Sequence, residues 1–583
     1  MLNKSTIIHL DDSKIDLFEY IDTNSNLLKK QYLEIVFNIG NLKINNIALR
    51  NVFDLNGHSL WEMSLINEKN IYKTNSVFKT IKYLALKKIL NENLNKDITI
   101  FFLEKSLQNI LKKEFADKKL IFHNSNYSFK EKFKNILNQN RLYNYIYFLY
   151  FFFKNCNFSK KVKIDFSKKK FFIFSYFTHY DSKKFAENIF YPKQWAHLWE
   201  MVNNHTNFIQ LFIPDKKFKF FFQIKNFLKK KKIENLKSGN FINEYITFKY
   251  FNKVRKDFKN LKSRVNFSEI ENLFQGNKEY EFFYKINKEL FISSLSGYAL
   301  LQNLVWINIF DDILSRTPKH GFGIFLYENQ PWEKALITSW KKFNHGQLIG
   351  YSHTTINYWH LNYFNHPRYN ESDYFEKFHP DLIAVSSEIS KNFLLEQSIN
   401  LKKIIEVEAL RYTWILNKIN KNKEKKNKKI LFLGDYKNTI NEKLINILNQ
   451  LKFQLIKSGF EITFKPHPAN ITKNIDKNIR QTNEDLEFLV DKFESVVSSN
   501  TTSAIIEVLS CGIQTFLFKD KNNFDLSPLK NTILEEEIVS FYTKEDLLNE
   551  IETNKERKNI KPINYYYLDK DIKKWKKILK IED

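Results

Sequence analysis

Glycine, proline and cysteine are scarce in this 583-residue chain, which has 12, 10 and 2 of them. Cys156 and Cys511 lie far apart and outside any CxxC spacing, which excludes a disulfide framework and a cysteine metal centre and points to a reduced, cytoplasmic setting. Arginine is scarce too: nine of the 92 basic residues. Because arginine is favoured for bidentate contacts to phosphates and base edges, a formal charge of +27 carried by lysine argues against a nucleic-acid partner. The surplus of Lys, Asn, Ile and Phe over Arg, Gly, Pro and Ala follows a coding bias, so the charge is discounted as a functional signal. Long apolar runs are missing as well. The longest, YIYFLYFFF (145–153), is too short to span a bilayer, and the N-terminus has acidic residues where a signal peptide needs an apolar stretch. That run, flanked by Lys154, Lys160, Lys161 and Lys163, admits two readings: a buried helix or strand, or a segment resting on an anionic inner leaflet. No metal pattern stands out. His353, His360, His366 and His379 crowd one region without HxxxH spacing, and Asp569 and Asp571 read as the cap of a following basic helix.

What the chain has is length and apolar content. With 43% hydrophobic residues, 583 residues exceed one core and imply two or more domains. The lysine and asparagine run at 417–429 reads as a linker, dividing an N-terminal domain (1–416) from a C-terminal one (430–583). After it, short apolar runs alternate with helical patterns: ILFLG (430–434), a helix over 439–457, EITF (461–464), a short acidic helix over 483–492, SVVSS (495–499), a helix through TSAIIEVLS and QTFLF (514–518). The same grammar occupies 322–409, with KDITIF (96–101) and FFIFSY (171–176) expected to supply the first part of that sheet. Such alternation predicts α/β domains with parallel sheets, insertions in the first domain, and a cleft at the carboxyl ends of the strands.

The stretch FKPHPAN (464–470) then acquires a place. Lys465, His467 and Pro468 sit at the ligand edge of the second strand of the C-terminal domain, in a loop stiffened by two prolines, where a lysine and a histidine suit phosphate. SSNTTSAIIE (498–507) clusters Ser498, Ser499, Thr501, Thr502 and Ser503 at a strand-to-helix turn. One helix cap needs a single such residue; the surplus suits a phosphate, and Glu507 one turn deeper suits ribose hydroxyls. Gly434 and Asp435, ending the first strand, form a third side of the pocket. In the first domain, Glu328 and His353 each follow a predicted strand and are the candidate catalytic base, Glu328 alternatively being a cap of the helix near Trp332. Trp332 and Glu333 read as packing and capping residues.

KPHP followed by SSxTTSAxxExLxxG resembles the GT-B glycosyltransferases of bacterial surface polysaccharide synthesis, among them enzymes using CMP-activated acidic sugars (sialyl and Kdo transferases) and the related CDP-glycerol glycerophosphotransferases. LNGHSLWEMSLINEKNIYKT (55–74), FSYFTHYD, YENQPWEKAL, IGYSHTT, PDLIAV and EALRY are similar to a group known as surface carbohydrate biosynthesis proteins. The resemblance leaves out 110–168 and 213–266 and implies two Rossmann-like domains facing each other across a cleft, with two readings of the final basic helix: crossing back onto the first domain, as C-terminal helices do in GT-B enzymes, or touching the membrane. It implies a metal-independent transferase that needs no cofactor, taking a nucleotide-sugar donor and a glycan or lipid-linked glycan acceptor at the inner face of the cytoplasmic membrane. By the same resemblance Trp61, Ser64 and Glu68 line the acceptor side. The acidic pair followed by glycine that supplies the base in sialyltransferases has no counterpart here. Transfer of a polyol phosphate from a CDP-linked donor, and a non-catalytic scaffold at the membrane, are the alternatives.

Overall fold

The computed structural model describes residues 6–582 apart from 12, 125–136, 138–139, 159–165, 178–179, 215–217, 232, 234–235, 237–239, 265, 420–427, 469, 471–473 and 554–560. Most of the 417–429 run, and Lys160, Lys161 and Lys163, therefore lie outside the described residues. In chain order the strands are β1 (Ile7–Leu10), β2 (Ser13–Asp16), β3 (Ile98–Phe101), β4 (Leu120–His123), β5 (Phe171–Tyr176), β6 (Thr206–Leu211), β7 (Phe322–Leu326), β8 (Gln347–Tyr351), β9 (Leu382–Val385) and β10 (Ile404–Glu406). They continue as β11 (Lys429–Leu433), β12 (Glu461–Lys465), β13 (Arg480–Gln481), β14 (Ser495–Ser499), β15 (Gln514–Phe518) and β16 (Val539–Phe541). Two short hairpins at residues 43–48 and 54–59 complete the inventory of paired strands among the described residues.

Two six-stranded sheets, all parallel, organise the chain: β6-β5-β7-β8-β9-β10 and β13-β12-β11-β14-β15-β16. Their central strands, such as FGIFL, FFIFSY and KILFL, are apolar on both faces because helices cover both sides. In each sheet the order reverses once, between β5 and β7 in the first and between β11 and β14 in the second. Crevices outside the carboxyl ends of strands open at such points. The architecture is α/β and GT-B-like: two Rossmann-like domains, the first enlarged by insertions.

β3 does not join the first large sheet, as expected from KDITIF. It pairs antiparallel with β1 and parallel with β4 in a separate sheet of order β2-β1-β3-β4. The place left open is filled by β6, whose Asn207 and Gln210 interrupt the apolar run; Asn207 is satisfied internally by Ser167 O and His320 Nε2, both at 2.8 Å.

Helices Lys278–Leu295 and Tyr298–Arg316 form one stretch long and apolar enough by composition to cross a membrane, which the polar residues within it concealed in the sequence. Their apolar window is 78% buried inside the protein, the behaviour of core helices.

The final helix, Lys573–Leu579, packs on the first domain. Trp575, fully buried, meets the Tyr351 ring at 5.1 Å and donates from Nε1 to Glu408 O at 3.0 Å. The Glu408 carboxylate accepts the first free amides of this helix, from Lys574 (2.8 Å) and Trp575 (3.1 Å). The cap is thus a glutamate more than 160 residues away; Asp569 instead closes a local turn by accepting the Asp571 N–H at 2.9 Å. A second seam runs through Phe524, which stacks on Phe78 at 4.1 Å and meets Phe18 and Trp359 edge-on, both at 5.7 Å.

Candidate active site

The second domain builds its side of the site where β11 and β14 part. After Leu433 the chain turns through Gly434, whose N–H donates to Lys465 O at 2.8 Å. A Cβ at Gly434 would stand 3.0 Å from the backbone nitrogen of His467, so glycine is what lets the KPHP loop close over the end of β11. Asp435, with no exposed surface, accepts the hydroxyls of Ser499 and Thr501 and the Lys437 N–H at 2.6 Å; its own N–H donates to Asn441 Oδ1 at 3.0 Å. Two hydroxyls of the Ser/Thr cluster are therefore committed to Asp435, and Ser498 and Ser499 are wholly buried. Thr502 Oγ1 accepts the Ala504 N–H at 3.3 Å, and Ser503, at the start of the seven-residue helix Ala504–Ser510, makes no side-chain cap bond.

Lys465, His467 and Glu507 are half-buried, and Pro468 is exposed. Burial pulls the Lys465 ammonium below its ordinary pKa against the pull of Asp485, Glu484 and Glu507. Burial also lowers His467, Lys465 adding to the effect and Asp435 opposing it. Burial pushes Glu507 up to about 7 despite the opposing charges of Arg411 and Lys465. Tyr436, largely exposed, stands edge-on to His467 with ring centroids 5.7 Å apart. Arg411 and Tyr436 were not singled out in the sequence; Tyr436 directly follows Gly434 and Asp435, and Arg411 lies within the EALRY segment (408–412) without a pattern that assigns it to the nucleotide side.

The first domain answers at its own reversal point. β5 ends at Tyr176 and β7 leads to Glu328, and the Tyr176 hydroxyl donates to Glu328 Oε2 at 3.4 Å. Gln330 Nε2 donates to the same oxygen, and His353 Nε2, just past β8, lies 3.8 Å from Oε1. Burial raises the Glu328 carboxyl above its usual range, with Glu68 adding to the effect and Gln330, Lys73 and Tyr176 opposing it. Glu328 is not the cap of helix Pro331–Lys342. Glu333, completely buried, accepts the Glu328 N–H (3.1 and 3.2 Å) and the Asn329 N–H (2.8 Å). Asn329 sits at φ +57°, Asn362 Nδ2 donates to Glu328 O at 2.8 Å, and the Tyr363 hydroxyl donates to Tyr327 O at 2.9 Å. The loop backbone is held from several sides independently of the Glu328 carboxylate, which accepts from Tyr176 and Gln330.

Beside Glu328 opens a cavity of about 450 Å³ lined by Glu68, Lys73, Tyr176, Gln330, Trp306 and Trp332 among others. Lys73 Nζ contacts Glu68 Oε1 at 2.5 Å, while Glu68 Oε2 is buried and has no hydrogen-bond partner among the described residues. Of the residues expected on the acceptor side, Glu68 lines this cavity. Trp61 packs in the core, and Ser64 caps a short helix by accepting the Asn67 N–H at 3.1 Å. The other histidines serve separate purposes: His360 hydrogen-bonds Tyr72 (2.9 Å), His366 accepts the Arg368 N–H, and His379 meets Tyr327 and Lys334. Among the described residues no three His, Cys, Asp or Glu side chains are grouped to hold a metal.

The two sides meet. The segment that follows Glu68 carries Tyr72, whose ring lies 5.6 Å from Lys437 Nζ and whose phenol is raised by burial and by the charge of Asp435. Lys193 of the first domain pairs with Asp485 of the second at 2.8 Å.

No family model matches the chain, and no curated protein matches it. Solved structures similar to it include the UDP-GlcNAc 2-epimerase of Neisseria meningitidis bound to UDP-GlcNAc (14% identity, 68% of this chain and 95% of that one, TM-score 0.35). Others are the Anabaena protein HepE in complex with UDP and glucose (9%, 68% and 93%, TM-score 0.32) and MurG of Acinetobacter baumannii (9%, 66% and 90%, TM-score 0.32).

Proposed function

We propose that the chain is a glycosyltransferase that moves a sugar from a nucleotide-activated donor to an acceptor hydroxyl. The observation that carries this reading is the meeting of two unlike half-sites. A carboxylate with raised proton affinity stands beside a roomy cavity at one sheet's reversal point, and a lysine–histidine pair stands at the other's. Glu328 takes the proton of the acceptor hydroxyl as its oxygen bonds to the anomeric carbon of the donor sugar; the bond from that carbon to the donor phosphate breaks, and the departing phosphate carries the released electron pair. Lys465 and His467, with the hydroxyls of Thr502 and Ser503, receive that charge, and Glu507 accepts from the ribose. His353 orients Glu328. Glu68, with one buried oxygen that has no partner among the described residues, accepts from an acceptor hydroxyl. A CMP-activated acidic sugar is the donor we favour, since a lysine and a histidine match the single phosphate of such a donor.

The test is Glu328→Gln. Turnover should fall by about 100-fold or more, the size of a general-base contribution, while nucleotide affinity stays unchanged. A variant with full turnover would remove Glu328 from the mechanism.

A further inference from the structure

Helix Arg141–Asn155 contains the apolar run noted in the sequence, and it is apolar on both faces. One face is core: Phe148 and Phe152 are buried against Phe251, with centroids at 6.0 and 5.3 Å. The opposite face is open. Leu142, Ile146, Tyr147, Tyr150 and Phe153 are between 43 and 67% exposed, at the i, i+4, i+5, i+8, i+11 spacing of one helical stripe. Phe158 and Phe248, 53 and 52% exposed, extend the stripe: Phe153, Phe158 and Phe248 lie with pairwise centroids at 6.4 Å. A contiguous exposed patch of this kind marks a binding surface, unlike apolar residues scattered singly.

Its surroundings specify the partner. Phe248 begins helix Phe248–Arg264, and all seven basic residues of that helix, from Lys249 to Arg264, are exposed. The one acid of the helix, Asp257, is buried and accepts from Asn308 at 2.8 Å. Next to it, helix Phe221–Lys231 is tied to the patch by Lys225 Nζ to Asn157 Oδ1 at 3.0 Å and ends in three exposed lysines, Lys229, Lys230 and Lys231. Lys154 lies over the Tyr150 ring at 5.2 Å, its stem along the aromatic surface. The neighbouring acid Asp312 is taken up by Arg316 and faces Lys249 at 3.9 Å.

Aromatic side chains that enter the headgroup boundary, ringed by lysines that meet negative headgroups, are the two components of interfacial binding. We infer that this face of the first domain docks on an anionic lipid bilayer. The lysine surplus discounted at the sequence level thus gains a local meaning, because on these two helices it is concentrated around the apolar stripe. The docking helix also walls a cavity of about 490 Å³ through Tyr143 and Tyr147, which adjoins the cavity beside Glu328 along Lys73, Thr74 and Tyr298. Docking would turn that opening toward the membrane.

The test is co-sedimentation of the full chain with phosphatidylcholine vesicles, with and without phosphatidylglycerol. Two variants accompany it: Ile146→Ser with Tyr150→Ser and Phe153→Ser, and Lys253→Gln with Lys256→Gln. The chain should bind the anionic vesicles and lose binding with added salt. The aromatic variant should bind at least tenfold more weakly, and each lysine removed should weaken binding by about fivefold at low salt. Unchanged far-ultraviolet circular dichroism and nucleotide affinity show that the variants are folded. Equal binding of the chain and the aromatic variant, or no binding by the chain, overturns the proposal. Self-association of the chain that the aromatic variant abolishes, without vesicle binding, also overturns it and gives the face to a second copy.

Discussion

Glu333 tests how the loop bearing the candidate base is held. Its buried carboxylate accepts the N–H groups of Glu328 and Asn329, and burial together with the charge of Glu328 raises its pKa well above the carboxylate range. Glu333→Ala leaves two buried donors without partners, at about 1 to 3 kcal/mol each, so the loop should be destabilised by about 2 to 6 kcal/mol. Glu333→Gln keeps an acceptor oxygen at nearly the same place, so its effect should stay within about 1 kcal/mol. The assay is hydrogen exchange read by mass spectrometry on peptides covering the loop, with a urea melt of each variant. In the alanine variant the amides of Glu328 and Asn329 should exchange at least about thirtyfold faster, the equivalent of 2 kcal/mol, while the glutamine variant stays near the parent. A glutamine variant as damaged as the alanine one would refute the reasoning, because the negative charge and not the two hydrogen bonds would then secure the loop.

Three further outcomes are expected. Glu507 has a folded-state pKa raised to about 7, so between its unfolded pKa near 4.5 and about 7 the folded chain holds more protons, and stability from this group is lost as pH rises through that window. Thermal melts should show a smaller decline over that window in Glu507→Gln than in the parent. Gly434→Ala forces a Cβ to 3.0 Å from both His467 N and Phe464 Cζ and should lower stability by about 1 to 3 kcal/mol in a urea melt while weakening nucleotide binding. Trp575→Ala, which removes a fully buried ring from the final helix, should destabilise by about 3 to 5 kcal/mol and release that helix to proteolysis.

Much of the fold was legible because parallel strands buried on both faces read as short apolar runs. β14 and β15 fall at residues 495–499 and 514–518 in both the sequence and the structure, and the two-domain α/β reading stands. The reading failed where tertiary structure overrides local pattern. β6 holds Asn207 and Gln210 in a buried strand, so no apolar run announced it, and ITIF of β3 is as apolar as a central strand although it pairs elsewhere. In the candidate site, the strand-end rule brought Lys465, His467, Gly434, Asp435 and the Ser/Thr cluster to one edge, and Glu328 and His353 to within 3.8 Å of each other. That Asp435 engages Ser499 and Thr501, that Glu333 holds the Glu328 amide, and that Glu408 caps the final helix depend on contacts between residues 5 to 167 positions apart, which no spacing rule encodes.

The central claim is that the second domain's strand-end cluster holds a nucleotide, and calorimetric titration of CMP, CDP, UDP and GDP into the chain and into a His467→Ala variant tests it most directly. The account predicts selective binding of CMP by the chain, weakened at least tenfold in the variant, since a hydrogen bond to a charged phosphate contributes about 1.5 to 3 kcal/mol. Absence of heat with all four nucleotides, or binding that the variant retains in full, would contradict it.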